Sequence, residues 1–476
     1  MKIEIYSTKF TAFLCFIIFS TFFLINFYKN FYIYGFSNIL LFCSGIIISF
    51  LMIYKLLNFF SQREFIIVLL MFCFFLRVTW ILSFKTPLES DFKIMFEGAL
   101  QAATGDFRFT ELPYFLSYPY QLGYTLYQSL VIQVFGQTAF VIKLLNVVYS
   151  CGTALMIYLI VSILFNEKAG RIGGMIYAIN IPNIVLSSVL TNQHLASFVF
   201  YLSFYLIISN YSKKRYSGIV IGSLLSLGNI IRPVGPVLLI AIILYYLISK
   251  ILKKENFSIR NTLCILSSYF IIHAILSYAL ILSGVTNYSL ENRDPLWKFV
   301  TGLNAETVGM YSSSDSELLG KYSLGNVRNE KSLEVIKERL LNNHHLFLLF
   351  SKKYSLMWGE EDTALYWSLN QLNEKKVNLI LSNIDRIIYM SSFVFAIIAS
   401  IFIILRKNIK LDIMLVQFFV IGYILIHLII EVQTRYRYEI IPSFTILEAI
   451  GIGLTGQYIK KKYENARLKF KGNNLH

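Results

Sequence analysis

Hydrophobic residues in this 476-residue chain fall in long, nearly uninterrupted runs separated by short charged segments. Runs of roughly 18–22 apolar residues are long enough to cross about 30 Å of hydrocarbon as helices. The pattern therefore predicts an all-α polytopic membrane protein with about twelve transmembrane helices. The expected spans are residues 10–28, 38–57, 64–84, 138–164, 172–189, 195–211, 217–231, 234–249, 258–283, 386–405, 411–430 and 438–457.

Two long polar stretches, 85–137 and 284–385, separate the groups of spans. We expect both to be loops on the same side of the membrane, with short helices in the second. The predicted organisation is an N-terminal transmembrane hairpin (1–63), a transmembrane core (64–283) that contains the first loop, the second loop (284–385), and C-terminal helices with a basic tail (386–476).

The first loop contains an amphipathic pattern. Phe92, Met95, Phe96 and Ala99 follow the spacing of one helical face,. This predicts an interfacial helix with Ser90 or Asp91 at its N-cap, and capping is the structural alternative to any chemical role for Asp91. A second interfacial helix is expected within 118–135.

Charge sets the orientation. The chain carries a net charge of +16, yet its basic residues collect in short loops on one side of the predicted spans, and only 15% of all residues are charged. The positive-inside rule makes that side cytoplasmic, so both termini are cytoplasmic and the two long loops face outward. Basic loops of this kind do not indicate nucleic-acid binding. The first apolar run lacks a signal-peptide cleavage site and is expected to be retained.

Several ionisable residues lie at predicted membrane depth. Arg77 is inside span 64–84 and Lys143 is near the outer end of the next span. Such charges are costly, so they should face a cavity or a partner, with snorkelling and a structural ion pair as the alternative. His427 and Glu431 are spaced i, i+4 and are expected to form a structural pair on one helical face. His194 tops a hairpin, where a polar contact is more typical than a ligand.

Arginines are also expected at the outward ends of spans. Pro233 ends a helix and leaves Arg232 at the outer surface,. Arg435 and Arg437 flank Tyr436 on the outward side, against the positive-inside tendency. Guanidinium groups match phosphate oxygens in pairs, so this segment is expected to bind a lipid head group or a phosphate.

Metal and nucleotide motifs are missing from the sequence. There is no HExxH, Walker loop or cysteine cluster, and the five cysteines all lie in apolar runs,. No cofactor is therefore expected. A weak divalent-metal site built from Asp91 and a second loop carboxylate stays open as an alternative.

Several features in chain order resemble the GT-C fold of polyprenyl-phosphate-dependent glycosyltransferases, from about residue 70 onward. The closest likeness is to the family-39-like branch of protein O-mannosyltransferases and aminoarabinose transferases. The features are Arg77, Ser90-Asp91 with the following FEGAL helix, the YPYQLGY turn, Phe135-Gly136 leading to Lys143-Leu-Leu-Asn146, Leu227-Gly-Asn-Ile-Ile-Arg232-Pro233, Trp297-Lys-Phe-Val-Thr-Gly-Leu-Asn304, and Thr434-Arg-Tyr-Arg-Tyr438 before Pro442.

The resemblance implies transfer of a sugar, with inversion, from a polyprenyl-phosphate carrier to an envelope glycan, lipid or protein at the outer face of a bacterial cell membrane. It also implies that Asp91 is the catalytic base and that basic residues bind the carrier phosphate. The full set of predicted substrate-binding residues is Arg77, Glu97, Tyr118, Tyr120, Lys143, His194, Arg232, Arg435, Tyr436 and Arg437.

Three departures from the family pattern stand out. Phe92 occupies a position that is acidic in protein mannosyltransferases, Tyr118-Pro119-Tyr120 replaces a Lys-Pro-Pro turn, and spans 10–57 fall outside the shared core. Two other functions remain open: a flippase or transporter of lipid-linked saccharides, and a polysaccharide polymerase. Transporters usually show two similar halves with matching broken helices, which this chain lacks.

Overall fold

In the computed structural model, residues 2–253, 257–341, 345–406 and 410–473 are described, and within these ranges the regular structure is helical, without a strand. The first group of helices is α1 (Lys2–Tyr34), α2 (Phe36–Leu56), α3 (Gln62–Ser83), α4 (Ser90–Ala103), α5 (Pro113–Ser117), α6 (Leu122–Phe135), α7 (Ala139–Leu164), α8 (Glu167–Ala178), α9 (Ile181–Val185), α10 (Gln193–Ile208), α11 (Ser217–Ile231), α12 (Gly235–Lys253) and α13 (Phe257–Leu282).

The second group begins in the second long loop and continues to the C-terminal helix. It comprises α14 (Trp297–Gly302), α15 (Ser313–Gly320), α16 (Asn326–Leu341), α17 (Leu346–Gly359), α18 (Ala364–Leu369), α19 (Lys375–Leu405), α20 (Ile413–Ile429) and α21 (Ile441–Asn473). Short 3-10 turns are Leu57–Phe59, Arg108–Glu111, Pro119–Gln121, Leu186–Ser188, Asn210–Lys213, Asn370–Leu372 and Thr434–Glu439.

Six helices in the described ranges are long and apolar enough to cross a membrane: α1, α2, α3, α7, α13 and α19. Four shorter apolar helices accompany them: α10, α11, α12 and α20. Together they make the chain an all-α polytopic membrane protein, as predicted. The sequence predicts about twelve membrane helices, and the described ranges contain these six span-length helices and four shorter apolar ones.

The predicted span 172–189 is wrong as a single helix. Helix α8 ends at Ala178, and Asn180 then starts the short α9 by accepting a hydrogen bond from the backbone N–H of Asn183 at 3.2 Å. Pro182 in the first turn of α9 cannot continue a preceding helix, because its nitrogen has no hydrogen to donate,. The apolar run is therefore two short pieces with a corner between them.

The first loop has the predicted amphipathic helix, α4. Phe92, Met95, Phe96 and Ala99 are buried, whereas Lys93, Glu97 and Gln101 on the opposite face are exposed. The apolar face packs against α6 and neighbouring helices, as expected for a stripe with helical spacing,.

The predicted N-cap of α4 is wrong. Glu89 occupies that position, without a capping hydrogen bond, and its carboxylate accepts one from Gln371 at 2.7 Å instead. Ser90, with a φ of 53°, is in the left-handed region, which costs a non-glycine residue about 1 kcal/mol or more,. Asp91 therefore lies one residue inside the helix, in its first turn, and is not the cap.

The N-terminal hairpin is packed into the bundle. Phe19 and Phe22 of α1 contact Phe393 of α19 and Phe444 of α21, with ring centroids 5.4–5.9 Å apart. Helices α19 and α21 also approach closely at Gly451, where an added Cβ would lie 1.9 Å from the carbonyl oxygen of Phe395. Small residues at such crossings let helix backbones meet, as is common in membranes.

Candidate active site

Asp91 interacts electrostatically with charged residues that come from distant parts of the chain. Burial raises the pKa of its carboxyl group, the charges of Arg435 and Lys298 oppose that shift, and the carboxylate of Glu431 adds to it,. Lys298 belongs to α14, while Glu431 and Arg435 follow α20. The site is thus assembled from the start of α4, the first turn of α14 and the segment that follows α20.

Arg435 is held in a defined orientation. Its Nε donates a hydrogen bond to Oε1 of Gln433 at 2.8 Å. Its guanidinium carbon lies 4.6 Å from the ring centroid of Trp367 in α18 and 5.2 Å from that of Phe92 in α4. Phe92, which replaces an acidic residue of the family pattern, is thus one of two aromatic rings that support Arg435. Because the rings contact the guanidinium face, the other N–H groups of Arg435 remain available to a ligand.

Three cations surround the ring of Tyr436. The guanidinium carbon of Arg232 lies 5.4 Å from the ring centroid, Nζ of Lys298 lies 5.3 Å from it, and the guanidinium carbon of Arg435 lies 5.8 Å from it. Each distance is within the range of a cation–π contact. The ring of Tyr436 thus provides one surface that all three cations contact.

The three cations differ in their ion pairing. Arg232 forms an ion pair with the buried Glu439 and also donates to Oδ1 of Asn192 at 2.9 Å. Gln193 braces this pair, since its Nε2 donates to Oε2 of Glu439 at 3.3 Å and to the carbonyl of Arg435 at 3.0 Å. Arg232 is therefore neutralised within the protein, and Lys298 and Arg435 are the cations whose charges act on Asp91.

Glu431 does not lie on the helical face of His427, so the predicted pair is wrong. Helix α20 ends at Ile429, and the backbone N–H of Glu431 donates to the carbonyl of Lys298 at 2.8 Å. Its side chain accepts from Nε2 of Gln433 at 2.7 Å, while Nδ1 of His427 contacts the carbonyl of Tyr423 at 2.7 Å. Ending the helix two residues before Glu431 turns this carboxylate toward the site.

Tyr118 and Tyr120 line the same region from the first loop, with ring centroids 6.0 Å apart. Both hydroxyls interact electrostatically with Asp91, and Tyr120 also interacts with Arg232. Burial raises the pKa of both phenols, so both stay protonated and can donate hydrogen bonds to an anion.

Arg77 is placed elsewhere, fully buried at the end of α8. Its Nη1 donates to the carbonyl of Ala178 at 3.0 Å and its Nη2 to that of Tyr177 at 3.3 Å. These are the last carbonyls of α8, which lack partners within the helix. The guanidinium satisfies them, as cations at helix C-termini do, and thereby stabilises the corner that breaks the predicted span.

His194 lies in the same interior region, 0% exposed. Its Nδ1 contacts the hydroxyl of Ser150 at 3.1 Å and that of Tyr438, and its Nε2 contacts the carbonyl of Leu186 at 3.0 Å. The imidazole is therefore hydrogen-bonded on both nitrogens by the protein itself.

The remaining predicted residues also lie apart from Asp91. Lys143 donates to the carbonyl of Thr86 at 3.0 Å and so ties the start of the first loop to α7. Glu97 is on the exposed face of α4, 3.8 Å from the ammonium of Lys93. Arg437 is buried, donates to the carbonyl of Glu360 and stacks on Tyr389, with its guanidinium carbon 5.1 Å from the ring centroid.

The sequence reasoning missed Lys298, Gln433 and Trp367. Lys298 lies within the Trp297–Asn304 motif that carried part of the resemblance, and its place in that motif was the available signal. No local pattern pointed to Gln433 or Trp367, because both act through residues that are brought to them by folding.

A metal site is not evident in the part of the chain that the structure describes, where three or more His, Cys, Asp or Glu side chains do not cluster in a suitable way. The expectation that no cofactor is needed remains a prediction.

Comparison with known families gives one match. The family model for dolichyl-phosphate-mannose-protein mannosyltransferase matches residues 122–282, which are 161 of the 476 residues. The match runs from α6 through α13 and contains Lys143, His194 and Arg232, while Asp91, Lys298 and Arg435 lie outside it. A search of curated proteins gives no match.

Together with the helical architecture, the family match supports a GT-C-like membrane glycosyltransferase. The class agrees with the resemblance seen in the ordered sequence features.

Proposed function

We propose that the protein transfers a sugar from a polyprenyl-phosphate carrier to a hydroxyl group of an envelope glycan, lipid or protein, with inversion, on the outward face of a bacterial cell membrane. The observation that carries this proposal is the electrostatic interaction of Asp91 with Lys298 and Arg435, two cations that lie against the ring of Tyr436. The carboxylate suits the role of a base, and the two cations, which come from other parts of the chain, suit a phosphate-binding site.

Asp91 would act as the general base. Its carboxylate takes the proton of the acceptor hydroxyl while the acceptor oxygen attacks the anomeric carbon of the sugar. The bond from that carbon to the phosphate oxygen breaks, and its electron pair leaves with the polyprenyl phosphate. Burial raises the pKa of Asp91 toward the operating pH, which strengthens it as a base,. One displacement inverts the anomeric centre, unlike the route through two carboxylates that retains it.

Lys298 and Arg435 would stabilise the departing phosphate. Its negative charge grows as the glycosidic bond breaks, and fixed cations nearby stabilise the transition state more than the ground state. Arg435 is already supported by Trp367, Phe92 and Gln433, so its orientation needs little reorganisation. Arg232 contributes by holding Tyr436, because its own charge is paired with Glu439.

The donor and acceptor are proposals at the level of chemical class. The matched family description names dolichyl-phosphate mannose and protein. The many Ile, Phe, Tyr, Lys and Asn residues of this chain are typical of proteins encoded by AT-rich bacterial genomes, which favours undecaprenyl phosphate over dolichyl phosphate as the carrier.

The test compares the wild type with Asp91→Asn in transfer from a pool of polyprenyl-phosphate sugars to extracted envelope acceptors. Asparagine matches aspartate in size but cannot accept the proton. Glu111→Gln is the matched control, since this acid is exposed in the same loop.

We expect Asp91→Asn to lose transfer by about 10²–10⁴-fold, the usual contribution of a general base, and to keep its affinity for undecaprenyl phosphate. Unchanged transfer by Asp91→Asn would reject the assignment of the base. Movement of the lipid-linked sugar across vesicle membranes by the wild type, without transfer to any acceptor, would favour a flippase.

A further inference from the structure

Lys353 in α17 is a lysine with no exposed surface. Its ammonium donates hydrogen bonds to three backbone carbonyls: Gly302 at 2.6 Å, Leu428 at 2.8 Å and Ile430 at 2.9 Å. An ammonium group has three donors and no acceptor, so its hydrogen-bonding capacity is used in full.

The three carbonyls belong to the ends of two helices. Gly302 is the last residue of α14, and Leu428 and Ile430 lie at the end of α20. Carbonyls at a helix C-terminus lack partners within the helix and carry the negative end of its dipole. One buried cation therefore satisfies both helix ends where they meet.

The two helix ends are in direct backbone contact. A Cβ added to Gly302 would lie 2.2 Å from the carbonyl oxygen of Ile429, so any larger residue would force the backbones apart. Beyond this contact, the N–H of Glu431 donates to the carbonyl of Lys298 at 2.8 Å and that of Val432 to Gly309 at 2.9 Å. Lys298 and Glu431 are thus fixed relative to each other next to the carbonyls that Lys353 binds.

We propose that Lys353 is a positioning residue that joins the ends of α14 and α20 and so holds Lys298 and Glu431 toward Asp91. The inference rests on the proposed function for its consequence in catalysis, whereas its structural part stands on the contacts alone. No ligand or reacting atom is assigned to Lys353 itself.

Burying a charged ammonium group costs free energy, so its retention in the folded protein supports a specific role for Lys353. Burial lowers the pKa of Lys353 to about 7 from its ordinary value of 10.5,. A methionine of similar length would pack as well but would leave three converging carbonyls without a donor. The cation is therefore needed for the junction and not for filling space.

The experiment compares Lys353→Met with Lys352→Met, which changes the neighbouring, exposed lysine. Hydrogen–deuterium exchange is measured on peptides that cover 298–310 and 428–434. Affinity for undecaprenyl phosphate, and kcat and KM for transfer, are measured on the same full-length preparations.

In Lys353→Met we expect faster exchange at the amides of Glu431 and Val432. We also expect about a tenfold or larger rise in Kd and KM for the carrier, comparable to the loss of one charge-assisted hydrogen bond. The value of kcat should fall as well, because the displaced Lys298 is the cation proposed to stabilise the departing phosphate in the transition state. Lys353→Arg, which retains the charge, should recover part of the affinity, and Lys352→Met should behave like the wild type.

A lower melting temperature of Lys353→Met with unchanged exchange at these amides and unchanged carrier affinity would overturn the proposal. If Lys353→Met does not fold, Lys353→Gln, which keeps an N–H donor but loses the charge, carries the same comparison, and wild-type exchange and affinity in that variant would equally count against positioning by the cation. Lys298→Met tests the proposed function separately. If it binds undecaprenyl phosphate as the wild type does, the phosphate site is wrong, while the exchange result still decides the role of Lys353.

Discussion

The guanidinium carbon of Arg435 lies 4.6 Å from the ring centroid of Trp367, so a cation that follows α20 rests on an indole from α18. Neither residue is near the other in sequence. The contact restricts the position of Arg435, whose charge acts on Asp91. Substitution of Trp367 tests this role.

Trp367→Ala should weaken binding of undecaprenyl phosphate by about 2–30-fold, the range that corresponds to the loss of a cation–π contact. Trp367→Phe should lose less, because an aromatic face remains. The measurement is a lipid-binding titration in detergent micelles. The control is Tyr366→Ala, which removes an adjacent ring that is 50% exposed. Equal affinities for Trp367→Ala and the control would show that the indole does not support the arginine.

Asp91→Asn should raise the melting temperature at neutral pH although it lowers transfer by about 10²–10⁴-fold. The pKa of Asp91 is raised in the folded protein, so the folded state holds this proton more tightly than the unfolded state does,. Ionisation of Asp91 therefore destabilises the fold above the folded-state pKa, and this cost is absent below the ordinary value of 3.8.

The stability gain of Asp91→Asn should accordingly shrink as the pH falls, which thermal unfolding at a series of pH values measures. The acid limb of wild-type transfer should lie above pH 3.8 for the same reason. A stability gain that stays constant down to acidic pH would mean that it does not arise from the carboxylate charge.

Carrier binding should weaken as the pH rises through the pKa of Lys298. Burial lowers that pKa from its ordinary value of 10.5, and only the protonated ammonium attracts phosphate,. Lys298→Arg should keep its affinity at alkaline pH, because arginine stays charged. The measurement is the Kd for undecaprenyl phosphate from neutral to alkaline pH. The same alkaline loss in both proteins would assign it to another group.

Arg77→Met should lower stability without changing the site chemistry. The substitution leaves the carbonyls of Tyr177 and Ala178 without their buried donor, at a cost of more than about 2 kcal/mol,. Thermal inactivation in detergent should speed up, while the Kd for the carrier in the remaining folded protein stays within about twofold, a difference of less than about 0.5 kcal/mol. Arg63→Met, at the exposed start of α3, is the control. A selective loss of carrier affinity in Arg77→Met would instead place this arginine in the binding machinery.

Local patterns were sufficient for the helices and for the buried face of α4. Apolar run length predicted membrane helices, and helical spacing predicted which side of Phe92 to Ala99 packs inward. Both depend on interactions between residues close in sequence, so the order of residues was enough. The same reasoning went wrong at 172–189, since hydrophobicity alone does not report where Asn180 and Pro182 turn the chain.

The sequence by itself determined that this is a helical membrane protein, and its ordered features pointed to a glycosyltransferase and singled out Asp91 as the candidate base. Only the tertiary structure decided which cations face Asp91. Arg232 is paired with Glu439, and Arg77 and Arg437 donate to the backbone carbonyls at the end of α8 and of Glu360. Of the three cations around Tyr436, Lys298 and Arg435 are thus the two that act on Asp91. The reason is that charge pairing depends on distance through space, and these partners lie far apart along the chain.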